Sequence, residues 1–137
     1  MSKIVFTNGC FDVIHRGHIE LFEFCHSLGD IVVVGLNSDD SVRRLKGPTR
    51  PINNQIDREF VLKSIKYVDL VLLFEESTPY ELIKKVEPDV LVKGGDYDVN
   101  ENNVTHPKYI VGKDIVKQTV VFPYKDGYST TNILSKI

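Results

Sequence analysis

The sequence has little of what marks several protein classes. It has two cysteines, Cys10 and Cys25, whose separation fits neither a metal-ligand pair nor a disulfide framework, so reduced thiols in a cytoplasmic protein are expected. No apolar run approaches the ~18 residues of a membrane-spanning helix, and Met1-Ser2-Lys3-Ile4 passes directly into a strand-like segment. Neither a transmembrane span nor a signal peptide is expected. Positive charge is not in excess: 17 Lys and Arg stand against 19 Asp and Glu, a formal net charge of −2. That balance argues against a dedicated nucleic-acid or membrane-surface binder, and small-molecule substrates are the expected partners. Repeats, linkers and low-complexity stretches are absent as well. A chain of 137 residues with 42% apolar and 26% charged residues suits one folded domain, 1–137, that needs no metal or disulfide staples.

What is present is an alternation of strand-like and helix-like segments. Lys3 to Thr7 is a short β-branched run closed by Asn8-Gly9. From His18, Leu21, Phe22, Cys25 and Leu28 recur at helical spacing, and Gly29 is expected to close that helix as a left-handed residue. Ile31 to Leu36 reads as a strand buried on both faces. Asn37-Ser38-Asp39-Asp40 offers N-caps for a short helix through Leu45. A helix over Ile56 to Lys66 is expected to turn Phe60, Val61 and Ile65 inward, and Asp69 to Phe74 to form another buried strand. Thr78-Pro79 starts a helix that Pro88 stops, Asp89 to Val92 and Val120 to Phe122 read as strands, and Ser129 can cap a last helix through Lys136. Strands separated by helices imply an α/β fold, a Rossmann-like doubly wound parallel sheet of about five strands with helices on both faces. Ligands of such sheets sit at the carboxyl ends of the strands.

The candidate chemistry clusters at those ends. His15-Arg16-Gly17-His18 follows the first strand and opens the first helix; four His and nine Gly give only about 0.008 chance matches to His-x-Gly-His in this chain. Backbone N–H groups and the positive helix end favour an anion there, and two imidazoles could donate to charge growing on a phosphoryl group. A zinc pair would need a third ligand, for which no neighbouring Cys or carboxylate has suitable spacing; two solvated histidines are the other alternative. Gly9 would let the backbone approach a ligand, and Asp12 could orient a histidine or simply cap a turn. Neither G-x-G-x-x-G nor G-x-x-x-x-G-K-[ST] occurs. Arg43, Arg44, Lys46 and Arg50, followed by Arg58, suit a polyphosphate or form a solvated basic face. Lys93-Gly94-Gly95-Asp96-Tyr97 leaves the fourth strand as a polar contact segment or a tight turn. Asp126 to Asn132 places hydroxyls at a helix start, as a phosphate clamp or an ordinary cap. With no covalent nucleophile arrangement readable, the parts favour phosphoryl or nucleotidyl transfer by in-line displacement.

Thr7-Asn8-Gly9-Cys10-Phe11-Asp12-Val13-Ile14-His15-Arg16-Gly17-His18 resembles the signature of the cytidylyltransferase-like nucleotidyltransferase superfamily, and Ser129-Thr130-Thr131 resembles its C-terminal motif. Asn37-Ser38-Asp39, Arg44-Leu45-Lys46-Gly47, Arg50-Pro51, Val68-Asp69, Leu91 to Tyr97 and Ser129 to Ile133 are most similar to the heptose 1-phosphate adenylyltransferase branch. The resemblance implies that ATP and a sugar 1-phosphate, foremost D-glycero-D-manno-heptose 1-phosphate, give an ADP-sugar and pyrophosphate with Mg²⁺. By the match, His15 and His18 hold the phosphates and stabilise the transition state, and Lys46 binds the triphosphate. Asn8, Gly9, Cys10, Phe11 and Asp12 contact the nucleotide, Lys93 and Asp96 contribute, and Gly127, Ser129, Thr130 and Thr131 close over the β- and γ-phosphates. Arg50 and Arg58 are weaker substrate contacts. No protein ligand for the metal is readable, as expected for Mg²⁺ held by phosphates and water. A homodimer is the assembly the resemblance implies.

The chain departs from related sequences at two points. The kinase half of bifunctional relatives has no counterpart in these 137 residues. Pro123-Tyr124-Lys125-Asp126-Gly127-Tyr128 lacks the Arg that glycerol 3-phosphate cytidylyltransferases carry there and has an unusual Tyr128. A CTP-dependent glycerol-3-phosphate enzyme is therefore the alternative within enzymes, and a nucleotide-binding regulator without turnover the alternative outside them.

Overall fold

In the computed structural model, which describes residues 2–123, five apolar segments form one parallel sheet. They are Ile4–Gly9 (β1), Ile31–Asn37 (β2), Leu70–Phe74 (β3), Val90–Gly94 (β4) and Gln118–Phe122 (β5), in the order β3-β2-β1-β4-β5. The connections carry helices Arg16–Leu28 (α1), Asp39–Lys46 (α2), Gln55–Lys63 (α3) and Tyr80–Val86 (α4), and a single 3₁₀ turn, Lys113–Ile115, precedes β5. The sheet is doubly wound as expected: alternate residues of the central strands enter two separate cores. Val5, Val32, Val34, Leu36, Val90 and Val92 pack with Leu21, Phe22 and Cys25 of α1 and Leu62 of α3. On the opposite face Phe6, Val33 and Leu91 pack with Ile83 of α4 and Ile110. Among the described residues no helix is long and apolar enough to cross a membrane.

Several local expectations are corrected. Gly29 follows α1 in an extended conformation (φ −168°, ψ −167°), not a left-handed one. Its value is space: a Cβ there would lie 2.7 Å from Val5 Cγ2 and 2.8 Å from the Lys3 carbonyl oxygen, where α1 passes the start of β1. On α3 the inward positions are Arg58 and Leu62, one turn apart, while Phe60 is 73% exposed and Val61 43%. The apolar pattern misled there because a buried arginine occupies the inward face. β3 is an edge strand rather than a doubly buried one, with Leu70 and Leu73 exposed. The helix expected from Ser129 lies outside the described residues.

The centre of the sheet is tight enough to give a direct check. Gly35 of β2 lies beside Asn8, and a Cβ on it would meet Phe6 Cζ at 2.7 Å, Leu82 Cδ2 at 3.2 Å and Asn8 Cβ at 3.3 Å. Gly35→Val should therefore destabilise the fold by about 1–3 kcal/mol, the range for overpacking a filled core. Urea unfolding reads this directly, and an unchanged midpoint would contradict the packing described.

Candidate active site

The site begins with a divergence in the sheet. β1 pairs with β2 along its whole length, from Ile4 with Ile31 to Gly9 with Leu36, and β4 pairs with β5 from Val90 to Gly94. Between β1 and β4 the ladder holds only Val5 with Val90 and Phe6 with Leu91. This is the point where strand order reverses, and the carboxyl ends of the two strands part to leave a crevice. A cavity of about 320 Å³ opens there, reached by Asn8 and Gly9 of β1, Cys10 just after it, Asn37 at the end of β2, and Lys93 of β4.

Next to it, the first turn of α1 holds the two histidines. His15 is the N-cap, and its Nδ1 accepts from the Gly17 N–H at 3.1 Å. His18 Nδ1 accepts from the His15 backbone N–H at 3.2 Å, so each side chain satisfies a helix-end donor. With Nδ1 an acceptor in both rings, each neutral imidazole carries its proton on Nε2. The ring planes are tilted 33° to each other with centroids 3.8 Å apart, and both rings are buried. Burial first, then the charges of His15 and Lys46, pushes His18 down to about 3; burial also lowers His15. The pair is thus neutral at physiological pH and presents N–H donors without the repulsion of two stacked cations.

Phe11 supports this turn from below. It has a left-handed backbone, φ 46°, a strained conformation for a bulky residue that costs on the order of 1–3 kcal/mol. The turn sends its ring back under the strand end, edge-on to His18 at 5.2 Å and against Phe22 at 5.3 Å. A Cβ on Gly9 would lie 2.9 Å from that ring. The missing side chain at Gly9 therefore makes room for Phe11, a role beyond the ligand approach expected of it.

Three of the residues expected to contact ligand, Asp12, Arg50 and Arg58, are engaged within the framework. Asp12 Oδ2 accepts from Arg50 Nε at 2.8 Å and the Ile52 N–H at 2.9 Å, while Oδ1 accepts from the Asn53 N–H at 2.9 Å. Burial raises this carboxyl, but those bonds outweigh it and hold the group below its ordinary value. Arg58 is 1% exposed. Its Nη1 donates to the Cys10 and Asn37 carbonyls at 2.8 Å, its Nη2 to Asp39 Oδ1 at 2.8 Å, and its Nε to the Asn53 carbonyl at 2.9 Å. Arg58 thus ties the ends of β1 and β2 to the loop before α3, and Asp12 and Arg50 tie the same loop to the turn before α1. None of the three is directed at the cavity.

The basic stretch sorts in the same way. Arg43 pairs with Asp40 at 2.6 Å and Arg44 donates to the Glu75 carbonyl, whereas Lys46 forms no hydrogen bond or ion pair among the described residues. Its charge is felt at both His18 and Cys10. Burial raises the Cys10 thiol, keeping it protonated against the pull of Lys46, Arg58 and Lys93. Lys93 is brought down to about 8 by burial, and its ammonium lies 4.9 Å from the Tyr97 ring centre. Asp96 stays on the surface, 3.5 Å from Lys108. Gly127, Ser129, Thr130 and Thr131 lie outside the described residues.

Sequence reasoning missed Ser77, Thr78 and Tyr109 as cavity walls, whereas Tyr97 belongs to the expected contact segment after β4. Ser77-Thr78 follows β3 at the carboxyl end of the sheet, a placement that could have revealed it. Tyr109 comes from an irregular segment with no periodicity to read. Among the described residues no group of three His, Cys, Asp or Glu could hold a metal ion.

A neutral donor pair at a helix N-terminus, beside two lysines and a crevice at the sheet's reversal point, has the chemistry to hold phosphates. A sequence-family profile described as Cytidylyltransferase-like matches residues 6–136. The chain belongs to this family of nucleotidyltransferases. It is 52% identical over 136 residues to the Bifunctional protein HldE of Aliarcobacter butzleri and 52% identical over 135 residues to that of Wolinella succinogenes. Those alignments cover 99% and 98% of this chain, but the chain spans 27% of the length of either relative. Its fold matches the crystal structure of the lipopolysaccharide core biosynthesis protein from Thermoplasma volcanium with a TM-score of 0.73 at 26% identity, covering 92% of this chain and 100% of that one. A fold likeness extends to a pantoate-beta-alanine ligase from Francisella tularensis, with a TM-score of 0.62 at 16% identity over 99% of this chain and 66% of that one.

The buried histidines make stability depend on pH with a definite sign. The unfolded chain takes up a proton at His18 near pH 6.5, which the folded chain resists down to about 3. The stabilisation is full above 6.5 and is lost as pH falls, at up to about 1.4 kcal/mol per pH unit per proton, with His15 acting in the same direction. His18→Asn, which keeps an acceptor for the His15 N–H, should remove one proton's worth of that slope. Urea unfolding between about pH 7 and 4.5 measures it, and an unchanged slope would refute the assignment.

Proposed function

We propose that the chain is a sugar 1-phosphate adenylyltransferase, joining ATP to a heptose 1-phosphate, foremost D-glycero-D-manno-heptose 1-phosphate, with release of pyrophosphate in the cytoplasm. The observation that carries this reading is the neutral His15–His18 pair set at the N-terminus of α1, beside a cavity walled by amides, hydroxyls and Lys93. A phosphate oxygen of the sugar attacks the α-phosphorus of ATP; the new P–O bond forms as the bond to the β-phosphate oxygen breaks, and pyrophosphate leaves. His15 and His18 donate from Nε2 to phosphate oxygens whose charge grows in the transition state. Lys46 and Lys93 flank the reacting phosphates, and arriving anions favour the charged form of Lys93. The mixture of Asn37, Ser77, Thr78 and Tyr109 with apolar Leu45, Pro79 and Val111 suits a polyhydroxylated acceptor. The segment Gly127 to Thr131 is assigned to the β- and γ-phosphates. Mg²⁺ fits this donor set as an ion carried on the triphosphate and its waters, because the Asp12 carboxylate is already engaged by Arg50, Ile52 and Asn53. When bound, it neutralises charge on the leaving pyrophosphate. The identity to HldE proteins across nearly the whole chain supports the heptose branch over other acceptors.

Pyrophosphate release should be measured with Mg²⁺, crossing ATP, CTP and GTP with both heptose 1-phosphate anomers and glycerol 3-phosphate. Turnover is expected with ATP and a heptose 1-phosphate. Turnover confined to CTP and glycerol 3-phosphate would move the protein to the cytidylyltransferase branch, and tight ATP binding with no turnover on any pair would make it a regulator. His18→Ala should lower kcat by at least ~100-fold, the scale of losing one transition-state donor.

The proposed assembly is a homodimer. Ile56 and Phe60, one turn apart on α3, are 76% and 73% exposed, and β3 beside them is an edge strand. Sedimentation at twice the chain mass is the expected result; a monomer at working concentration would overturn it.

A further inference from the structure

The wall of the cavity opposite β1 comes from the irregular chain between β4 and the 3₁₀ turn, which contributes Tyr97, Pro107, Tyr109 and Val111. Residues 98–109 form neither helix nor strand, and most are exposed. The return limb is anchored by Ile110, 1% exposed in the second core, and by one backbone bond from the Asp98 N–H to the Lys108 carbonyl at 3.0 Å. The outer excursion has a different tether. Lys113, at the start of the 3₁₀ turn, reaches back and donates to the Val99 carbonyl at 2.9 Å, the Glu101 carbonyl at 2.6 Å and Asn102 Oδ1 at 2.9 Å. An ammonium has three donors, and all three are engaged. The same nitrogen lies 5.5 Å from the centre of the Tyr109 ring, so one cation touches both the excursion and the cavity wall.

We propose that Lys113 is a positioning residue for the acceptor: by fixing the 99–102 excursion and the Tyr109 ring together, it sets the shape of the wall against which the sugar 1-phosphate packs. This rests on the adenylyltransferase reading for the identity of the acceptor but not for the tether itself. Lys113 does not line the cavity, so its removal acts through Tyr109. Without it, the carbonyls of Val99 and Glu101 return to water and the wall loses its fixed position. The nucleotide side is built on β1 and α1, held by Arg58 and Asp12, and shares no bond with Lys113 among the described residues. The effect therefore falls on the acceptor and spares ATP.

The test compares wild type with Lys113→Met, which keeps an apolar stem, and Lys113→Arg, which restores a cation and donors. Amide hydrogen exchange needs no substrate: in Lys113→Met the amides of 98–109 should exchange about tenfold faster, with β1 and α1 unchanged. Equal exchange in 98–109 overturns the proposal. In pyrophosphate release, KM for the heptose 1-phosphate should rise about tenfold, KM for ATP and kcat should stay within about twofold, and Lys113→Arg should recover most of the loss. An unchanged acceptor KM, a parallel rise in both KM values, or a fall in kcat overturns it. If the wild type turns over no acceptor, the functional reading fails on its own, and calorimetry with D-glycero-D-manno-heptose 1-phosphate decides the role of Lys113. A Kd weakened about tenfold in Lys113→Met sustains the proposal; an unchanged Kd, or no binding by wild type, overturns it.

Discussion

The buried guanidinium of Arg58 is the constraint on which the site depends. Parallel strands end in carbonyls and loops with no partner strand to organise them, and at the point where strand order reverses those loops diverge. One planar cation supplies donors to the ends of β1 and β2, to the first turn of α2 through Asp39, and to the loop before α3. Burying a charge is tolerable only when its hydrogen bonds are met, and here the partners are three carbonyls and a carboxylate. Removing one partner would leave several groups unsatisfied at once, so the frame holds or fails as a unit. Asp12 is its counterpart of opposite sign, holding the same loop to the turn before α1.

On that frame, the electrostatics of the phosphate site follow from burial more than from net charge. The chain is slightly acidic, and most of its local basic stretch is engaged, Arg43, Arg50 and Arg58 by Asp40, Asp12 and Asp39 and Arg44 by the Glu75 carbonyl. What remains for an anion is a neutral imidazole pair, an exposed Lys46 and a partly buried Lys93. Donors of this kind bind phosphate without a large standing positive field, and each strengthens as water is excluded. Helix capping uses Nδ1 of both rings, and the proposed phosphate donation would use the opposite nitrogen, Nε2. The geometry that ends the helix thereby fixes the tautomer that the chemistry requires.

The fold was legible because its signals are regional: unalternating Val and Ile runs for parallel strands, spaced apolar residues for α1, and a stop at Pro88. The histidine motif was legible for a similar reason, since its place between a strand and a helix is written in the local sequence. The partners of Arg58 and Asp12 were not legible, because a charged residue in a loop or on a helix carries no mark of whether it meets ligand atoms or groups of its own chain up to 48 positions away. Near α3, Arg58 takes the inward place that periodicity gave to Phe60 and Val61, while Ile65 packs against the core as expected. Tyr109 and Lys113 lie where periodicity gives out, and their roles come from long-range contacts alone.

The left-handed turn at Phe11 has a consequence for how this site can vary. Its ring fills the space that a side chain on Gly9 would take and lies against the edge of His18. Positions 9, 11 and 18 therefore behave as one mechanical lever. Any side chain added at position 9 displaces the ring, and the displaced ring tilts an imidazole nine residues downstream without touching a phosphate. Substitution there is read out as lost chemistry even where binding space is untouched, and drift among relatives has to move all three positions together or none.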